Sequence, residues 1–404
     1  MRKEQRLIFI TILAHFLVHI CELSFPAVAV VVAGDLLGRE NAYEKVGFAY
    51  FIATLFYGAM AIPGGFLSDK LGARRVVFIY LLGSGLSMIL IGLAKNYFML
   101  VLTLGLLGAS IGLYHPAGLS LLSLGTTKHG TSMGWHGMGG NFGLALSPLF
   151  ASALAGVFGW RWAFILLGMI PAIFSVWIIF EPSLKIELKE NSLQKNLSAE
   201  PKNPSKNYLI VPLIFLFLMA ILNGMCYRGL MAFLPTYIFH HLPERSFGIS
   251  RVGQAGAFTT LILILGMFGQ LSGGRLADYY SKPKLYTLAF LFSLPFLFLL
   301  SRLEGLILLL DAMIFAFIYF ASQPIGNSLL PELTGKGVRG RIYGWFFFMN
   351  FGAGSVMSWI AGIIGERWSL NDIFLLLGIV LLGAVFLGFG LISTTSRARR
   401  KIYT

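Results

Sequence analysis

The sequence predicts an all-α membrane protein of twelve transmembrane helices in two six-helix, pseudo-symmetric bundles. Three observations carry this. Of the 404 residues, 57% are hydrophobic and only 12% are charged, about half the usual charged share of about 25%. Eleven long stretches contain no Asp, Glu, Lys or Arg, and a twelfth contains a single one. The two halves of the chain also repeat each other in order, at an offset of about 205–210 residues, as parallel halves do in transporters with a midplane cargo site. Disorder, collagen and a secreted disulfide scaffold are excluded by the same composition. The two cysteines, Cys21 and Cys226, lie in apolar runs and need not pair.

Span one, 7–34, is apolar except for Glu22. Spans two to six follow at 46–68, 76–94, 96–127, 130–160 and 162–180. Spans seven to twelve run 207–227, 252–274, 285–301, 312–331, 342–365 and 373–396. Crossing about 30 Å of hydrocarbon takes about 20 helical residues. The shortest stretch, 285–301, still offers 17. Residues 1–6 are too short and too charged to be the n-region of a cleaved signal peptide. Residues 181–207 form the one long polar stretch, read as a linker, which divides the chain into bundles 1–180 and 208–404.

The formal charge of +14 is topological. One side collects Arg2, Lys3, Arg6, Lys70, Arg74, Arg75, Lys128, the five lysines of 181–207, Arg275, Lys282, Lys284, Lys336, Arg339, Arg341 and the tail's Arg397, Arg399, Arg400 and Lys401. That is 22 of 31 basic residues. The positive-inside rule then places both termini in the cytoplasm of a multi-pass inner (plasma) membrane protein. No nucleic-acid partner is expected; the lipid bilayer is.

The repeat is legible in short segments. GGFLSDKLGARR (64–75) answers GGRLADYYSKPK (273–284), and YHPAGLSLL (114–122) answers SQPIGNSLL (322–330). GTSMGW with its following NFG (130–143) answers GRIYGW with NFG (340–352), and Arg161-Trp162 answers Arg367-Trp368. In the loop between spans two and three, Gly65 and Gly72 permit close helix approach and a tight turn. Asp69 can accept from backbone donors or pair with a base, and Arg74 and Arg75 suit anionic headgroups. The second copy keeps Gly274 and Asp278 but has Ser281 in place of the second glycine.

This loop, with twelve spans and a duplicated half, resembles the signature of the major facilitator superfamily over 7–394. The resemblance implies a conformational switch at Gly65, Asp69, Gly72, Arg74, Arg75, Gly274 and Asp278 that braces the outward-facing state. YHPAGLSLL followed by HGMGGNFGLALSPL (136–149) is similar to the fosmidomycin-resistance type of exporter, in which a His-Pro pair ends span four and a glycine-rich span five follows. Spans of drug–proton antiporters usually carry an arginine at span four, and residues 97–122 contain none.

The remaining chemistry lies in ionisable groups at membrane depth, which are functional by default. His15, His19 and Glu22 fall on one stripe of span one at 100° per residue. His115 and His136 join them from spans four and five. The second half offers Asn223 and Arg228 in span seven, Asp311 near the outer end of span ten, and Gln323 as the repeat equivalent of His115. Three readings of the stripe stay open: proton coupling, since imidazole titrates near neutral pH; a metal or metal-chelate cargo on two imidazoles and a carboxylate; and structural hydrogen bonding between helices. Arg228 either binds an anionic cargo group or pairs with Glu22.

No GxxxxGK[ST] pump motif and no His-Glu-x-x-His helix is present, so neither an enzyme, a resident metal nor a cofactor is expected. The expected function is secondary active transport of a small molecule by a monomer using alternating access. Proton-coupled efflux of a drug-like or anionic metabolite leads; proton-symport uptake, metal transport and a degenerate transporter acting as receptor or scaffold are the alternatives. The orientation is directly testable. In a cysteine-free background, a cysteine replacing Ser192 is expected to escape an impermeant maleimide applied to intact cells; labelling there would reverse the assigned topology.

Overall fold

The computed structural model describes residues 3–127, 129–181, 184, 210–243, 248–334 and 339–403. All but two residues of the expected linker, Glu181 and Leu184, lie outside these, as do Lys128 and Lys336. Twelve helices long and apolar enough to cross a membrane are present. We label them α1 (Lys3–Leu37), α2 (Tyr43–Leu71), α3 (Ala73–Gly92), α4 (Tyr97–Gly125), α5 (Ser132–Phe158), α6 (Trp160–Phe180), α7 (Ile210–His241), α8 (Arg251–Tyr279), α9 (Lys282–Leu300), α10 (Gly305–Leu333), α11 (Gly344–Arg367) and α12 (Leu370–Ala398). Each overlaps one expected span. Several are longer than the charge-free stretch that marked them, because charged residues continue the helix once it leaves the apolar layer.

Two helices are not uniform. In α4 the α-helical pattern breaks at Leu113 and resumes at Tyr114, running on to Gly125. Pro116 has no N–H to return to Gly112 and so breaks the ladder one turn upstream. The His115-Pro116 pair therefore kinks span four and does not end it, contrary to the pattern implied by the exporter resemblance. In α11 residues Phe348–Gly352 form a π-helical turn followed by a 3-10 turn at Ala353–Ser355. That irregular segment is where α11 meets two other helices at closest range. A Cβ on Gly224 would stand 2.0 Å from the Asn350 carbonyl oxygen, and one on Gly58 would stand 2.4 Å from the Gly352 nitrogen.

The seam between the halves is built from α1 and α7, α2 and α11, and α5 and α8. It is closed from the middle of the helices to the end opposite the termini. There Arg39 Nη2 donates to Glu366 Oε1 at 2.5 Å and the Glu44 amide donates to Glu366 Oε2 at 2.9 Å. Cβ atoms on Gly47 and Gly362 would stand 2.2 Å from the Ser358 carbonyl and 2.3 Å from the Tyr43 carbonyl. Gly256 likewise meets Ser152 across α5 and α8. With no hydrophobic effect between helices in lipid, such backbone-to-backbone approach is what holds them together.

The loop signature is corrected in three places. Gly65 and Gly274 are not the close-approach residues: nothing lies within 4 Å of a Cβ on Gly65, and only Pro324 Cβ at 3.8 Å meets one on Gly274. Their neighbours carry that role, with Gly64 against Leu113 and Pro116, and Gly273 at 2.3 Å from the Ala321 carbonyl. Gly72 is the turn residue, with φ +83°. Ser281 at the second turn has φ −62°, so the missing glycine there costs nothing. Arg74, expected at headgroups, instead donates through Nε and Nη2 to the Ile178 carbonyl at 3.2 and 3.0 Å, and to that of Ile179, fastening the turn to the end of α6. Arg75, Asp69 and Asp278 are exposed, and the two aspartates make no hydrogen bond among the described residues.

Candidate functional site

At mid-depth α1 brings an acid and two imidazoles to the seam. Glu22 is held from both sides: His19 Nδ1 donates to Oε2 at 2.6 Å, and Arg228 Nη1 of α7 donates to Oε1 at 2.5 Å. The Arg228 side chain is 0% exposed and that of Glu22 2%, whereas His19 is 15% exposed. The i,i+3 spacing of His19 and Glu22 makes their contact possible. That α1 and α7 occupy equivalent places in the two repeats brings Arg228 to face it. Arg228 is the largest fully buried side chain of the chain.

Aromatic rings surround the guanidinium. Its carbon lies 5.3 Å from the Tyr57 ring centre, 5.5 Å from Tyr227 and 5.2 Å from Phe351, so three rings from α2, α7 and α11 help to stabilise its charge. Its Nε and Nη2 are buried without a partner, as are the Tyr50 hydroxyl and Asn223 Oδ1. A cavity of about 10 Å³ lies beside Glu22, lined by Cys21, Phe25, Tyr50 and Tyr57 among others, about the space of one water.

On the terminal side of Glu22, four histidines form one cluster. The His15 ring centre is 5.1 Å from His19, 5.2 Å from His115 and 4.2 Å from His136. His15 Nδ1 pairs with the His136 carbonyl at 2.9 Å, and His136 Nδ1 with the Thr11 carbonyl at 3.2 Å. His115 Nε2 pairs with the Tyr57 hydroxyl at 2.6 Å. Three glycines of span five serve packing: Gly139 and Gly143 approach the backbone of α1, and a Cβ on Gly140 would stand 2.4 Å from the His15 ring, whereas Gly134 and Gly137 have nothing within 4 Å of a Cβ.

Six of the eight expected site residues thus form one continuous network: His15, His19, Glu22, His115, His136 and Arg228. Asn223 reaches across to α11, with Nδ2 3.5 Å from Asn350 Oδ1. Gln323 does not join the cluster. It accepts from Gln270 at 2.9 Å within the second half. Asp311 is buried in that half, with Oδ2 unpartnered. The sequence reading missed Tyr50, Tyr57, Tyr227 and Phe351, because an aromatic in a hydrophobic span carries no mark of what it faces.

The chain matches the Major Facilitator Superfamily over residues 8–358, more than half its length, and belongs to that family of transporters. It is not an enzyme. Relatives include a probable nitrate transporter, NarT, of Staphylococcus aureus (strain MRSA252), 27% identical over 61% of this chain and 60% of the relative. An uncharacterized transporter of Buchnera aphidicola subsp. Schizaphis graminum is 25% identical over 68% of this chain and 65% of its own. The match therefore spans less than two thirds of either relative. A solved bacterial homolog of the human lysosomal transporter Spinster, inward-facing and occupied, shares the fold with TM-score 0.81 at 14% identity, covering 98% of both chains. A peptide transporter, POT, in complex with sulfate does so at TM-score 0.77 and 17% identity, over 98% of this chain and 95% of that one.

Breaking a buried pair by removing one partner strands the other charge, at about 3–5 kcal/mol, while removing both is far milder. Arg228→Gln alone is therefore expected to lower the thermal unfolding midpoint of the purified protein clearly. The double variant Glu22→Gln/Arg228→Gln is expected to recover most of that loss. A double variant as unstable as the sum of the singles would show that the two residues act independently.

Proposed function

We propose that this chain is a proton-coupled carrier of a small anion, with Arg228 as the cargo-binding cation and Glu22 as the counter-ion that occupies it when the carrier is empty. The observation that supports this reading is the fully buried guanidinium, bound to one carboxylate and keeping two unpartnered nitrogens. An arginine presents its donors in a fork that fits planar oxyanions and carboxylates. The name of the Staphylococcus aureus relative, a probable nitrate transporter, agrees with cargo of that kind.

The driving ion follows from charge balance. An anion that takes Arg228 leaves the Glu22 carboxylate buried without its cation, held by His19 alone, a loss of up to about 3–5 kcal/mol. A proton delivered to Glu22 removes that loss, with His19, the partly exposed member of the trio, as the route from water. Cargo and proton then occupy the site together, which is symport. Separation of the halves at the opposite face releases both and lets Glu22 return to Arg228; the pair gives the two states the differential interaction that coupling requires. With the termini in the cytoplasm of the inner membrane, the closed seam at Arg39, Glu44 and Glu366 is an outer gate, and the conformation is inward-facing. An exposed, unpaired Asp69 accords with a loop that braces the outward-facing state. Expulsion by proton antiport is the second reading, favoured by the similarity of 114–122 and 136–149 to fosmidomycin-resistance exporters.

Proteoliposomes with an imposed pH gradient separate these. Nitrate or small carboxylate uptake into vesicles with an acidic exterior is expected for the wild type. Glu22→Gln, permanently neutral, is expected to lose uphill accumulation while keeping anion exchange. Uphill transport by Glu22→Gln at the wild-type rate would remove the carboxylate from the mechanism, and accumulation driven by an acidic interior would replace symport by antiport.

A further inference from the structure

The histidine cluster holds a constellation of rings of which the carrier reading uses only His19. Three of its rings, His15 and His19 of α1 and His115 of α4, each offer a nitrogen within 4.8 Å of the other two. Each ring also has one nitrogen engaged by a hydrogen-bond partner, and for His15 and His19 that partner fixes the tautomer. A backbone carbonyl only accepts, so His15 Nδ1, 2.9 Å from the His136 carbonyl, carries the ring proton. His15 Nε2 is then a bare lone pair, and it is buried with no partner. A carboxylate also only accepts, so His19 Nδ1, 2.6 Å from Glu22, carries the proton and leaves Nε2 bare. His115 is held at Nε2 by Tyr57, and its Nδ1 makes no hydrogen bond among the described residues.

For His15 and His19 this is how metal-ligating histidines are held. The distal nitrogen donates to a carbonyl or carboxylate, which orients the ring and raises its basicity. Bonds of about 2.0–2.1 Å to zinc need each nitrogen to move inward by about 1 Å or less, within the reach of side-chain torsions. The three residues are each partly exposed, while the His15 Nε2 atom itself is buried. Three imidazoles without a carboxylate in the inner sphere select borderline transition metals over Mg²⁺ or Ca²⁺.

We infer that His15, His19 and His115 form a binding site for one divalent transition-metal cation of the zinc or cobalt kind, with water or another exchangeable group in the remaining position. Of the ligands the sequence stripe suggested, Glu22 moves to the outer position behind His19 and His115 takes its place. The site lies wholly within the first bundle, on the terminal side of Arg228, and its occupancy is a binding equilibrium that requires no gradient and no cargo.

Equilibrium titration of the purified, detergent-solubilised protein near neutral pH tests it. One equivalent of Zn²⁺ is expected to bind, competing with a chromogenic chelator, and excess Mg²⁺ is expected not to displace it. Co²⁺ is expected to give the intense visible absorption of a four-coordinate site. His15→Gln and His19→Gln are expected to weaken binding by at least the about 10–100-fold typical of losing an outer-sphere partner, and His241→Gln, in the second half, is expected to bind as the wild type does. Equal stoichiometric affinity in both cluster variants would overturn the site. So would a weak octahedral Co²⁺ spectrum in the wild type, which needs no variant to fold. Because this measurement uses neither flux nor anion, its failure leaves the carrier reading untouched, and failure of proton-driven uptake leaves the metal site untouched.

Discussion

The structure depends on one ion pair. Glu22 and Arg228 come from equivalent helices of the two repeats and meet at 2.5 Å, with the guanidinium fully buried. Neither charge would be tolerable at that depth alone. Together they fix α1 against α7 at mid-membrane, and the neighbouring elements arrange themselves about that point. Tyr57, Tyr227 and Phe351 close around the cation, and His19 caps the carboxylate from the side that water reaches. A pair of this kind contributes little net stability. In the proposed carrier reading its value is that a competitor can separate its two members, since a carrier needs a contact that cargo can exchange.

The rest of the seam is built to permit such an exchange. Between α2 and α11 it consists of glycines set against backbone: Gly47 on Ser358, Gly362 on Tyr43, Gly58 on Gly352. Flat, side-chain-free surfaces come apart and rejoin without interlocking groups having to unthread. The π-turn at Phe348–Gly352 sits where α11 meets both Gly58 and Gly224, and irregular turns of this type are common at functional positions in helices. At the end opposite the termini a charged lock, Arg39 with Glu366, adds to the glycine contact.

How much of this could be read from the sequence follows from what each signal encodes. The twelve helices were legible because a charge within an apolar layer is costly, so its absence over about 20 residues marks a span. Helical period put Glu22 and His19 on one stripe, and the repeat made pairing of Glu22 with Arg228 one of the two readings left open, the one the structure shows. One-residue questions were harder, since a step of one position turns a side chain by about 100°. The signature directs attention to Gly65 and Gly274, and the close approaches fall on Gly64 and Gly273. Gln323 matches His115 by repeat, but Gln270 supplies a nearer partner. The aromatic cage required the meeting of α2, α7 and α11, and the third metal-ligating candidate, His115, the crossing of α4 over α1, neither of which periodicity reveals.

The central claim is that cargo and Glu22 compete for Arg228, and equilibrium anion binding tests it most directly. Nitrate and acetate affinities of the purified protein would be measured at neutral pH for the wild type, Glu22→Gln and Glu22→Gln/Arg228→Gln. Removing the competing carboxylate is expected to tighten anion binding by about tenfold or more, the equivalent of at least about 1.4 kcal/mol, and removing the arginine as well to abolish it. Equal affinity in wild type and Glu22→Gln, or retained binding in the double variant, would contradict the account.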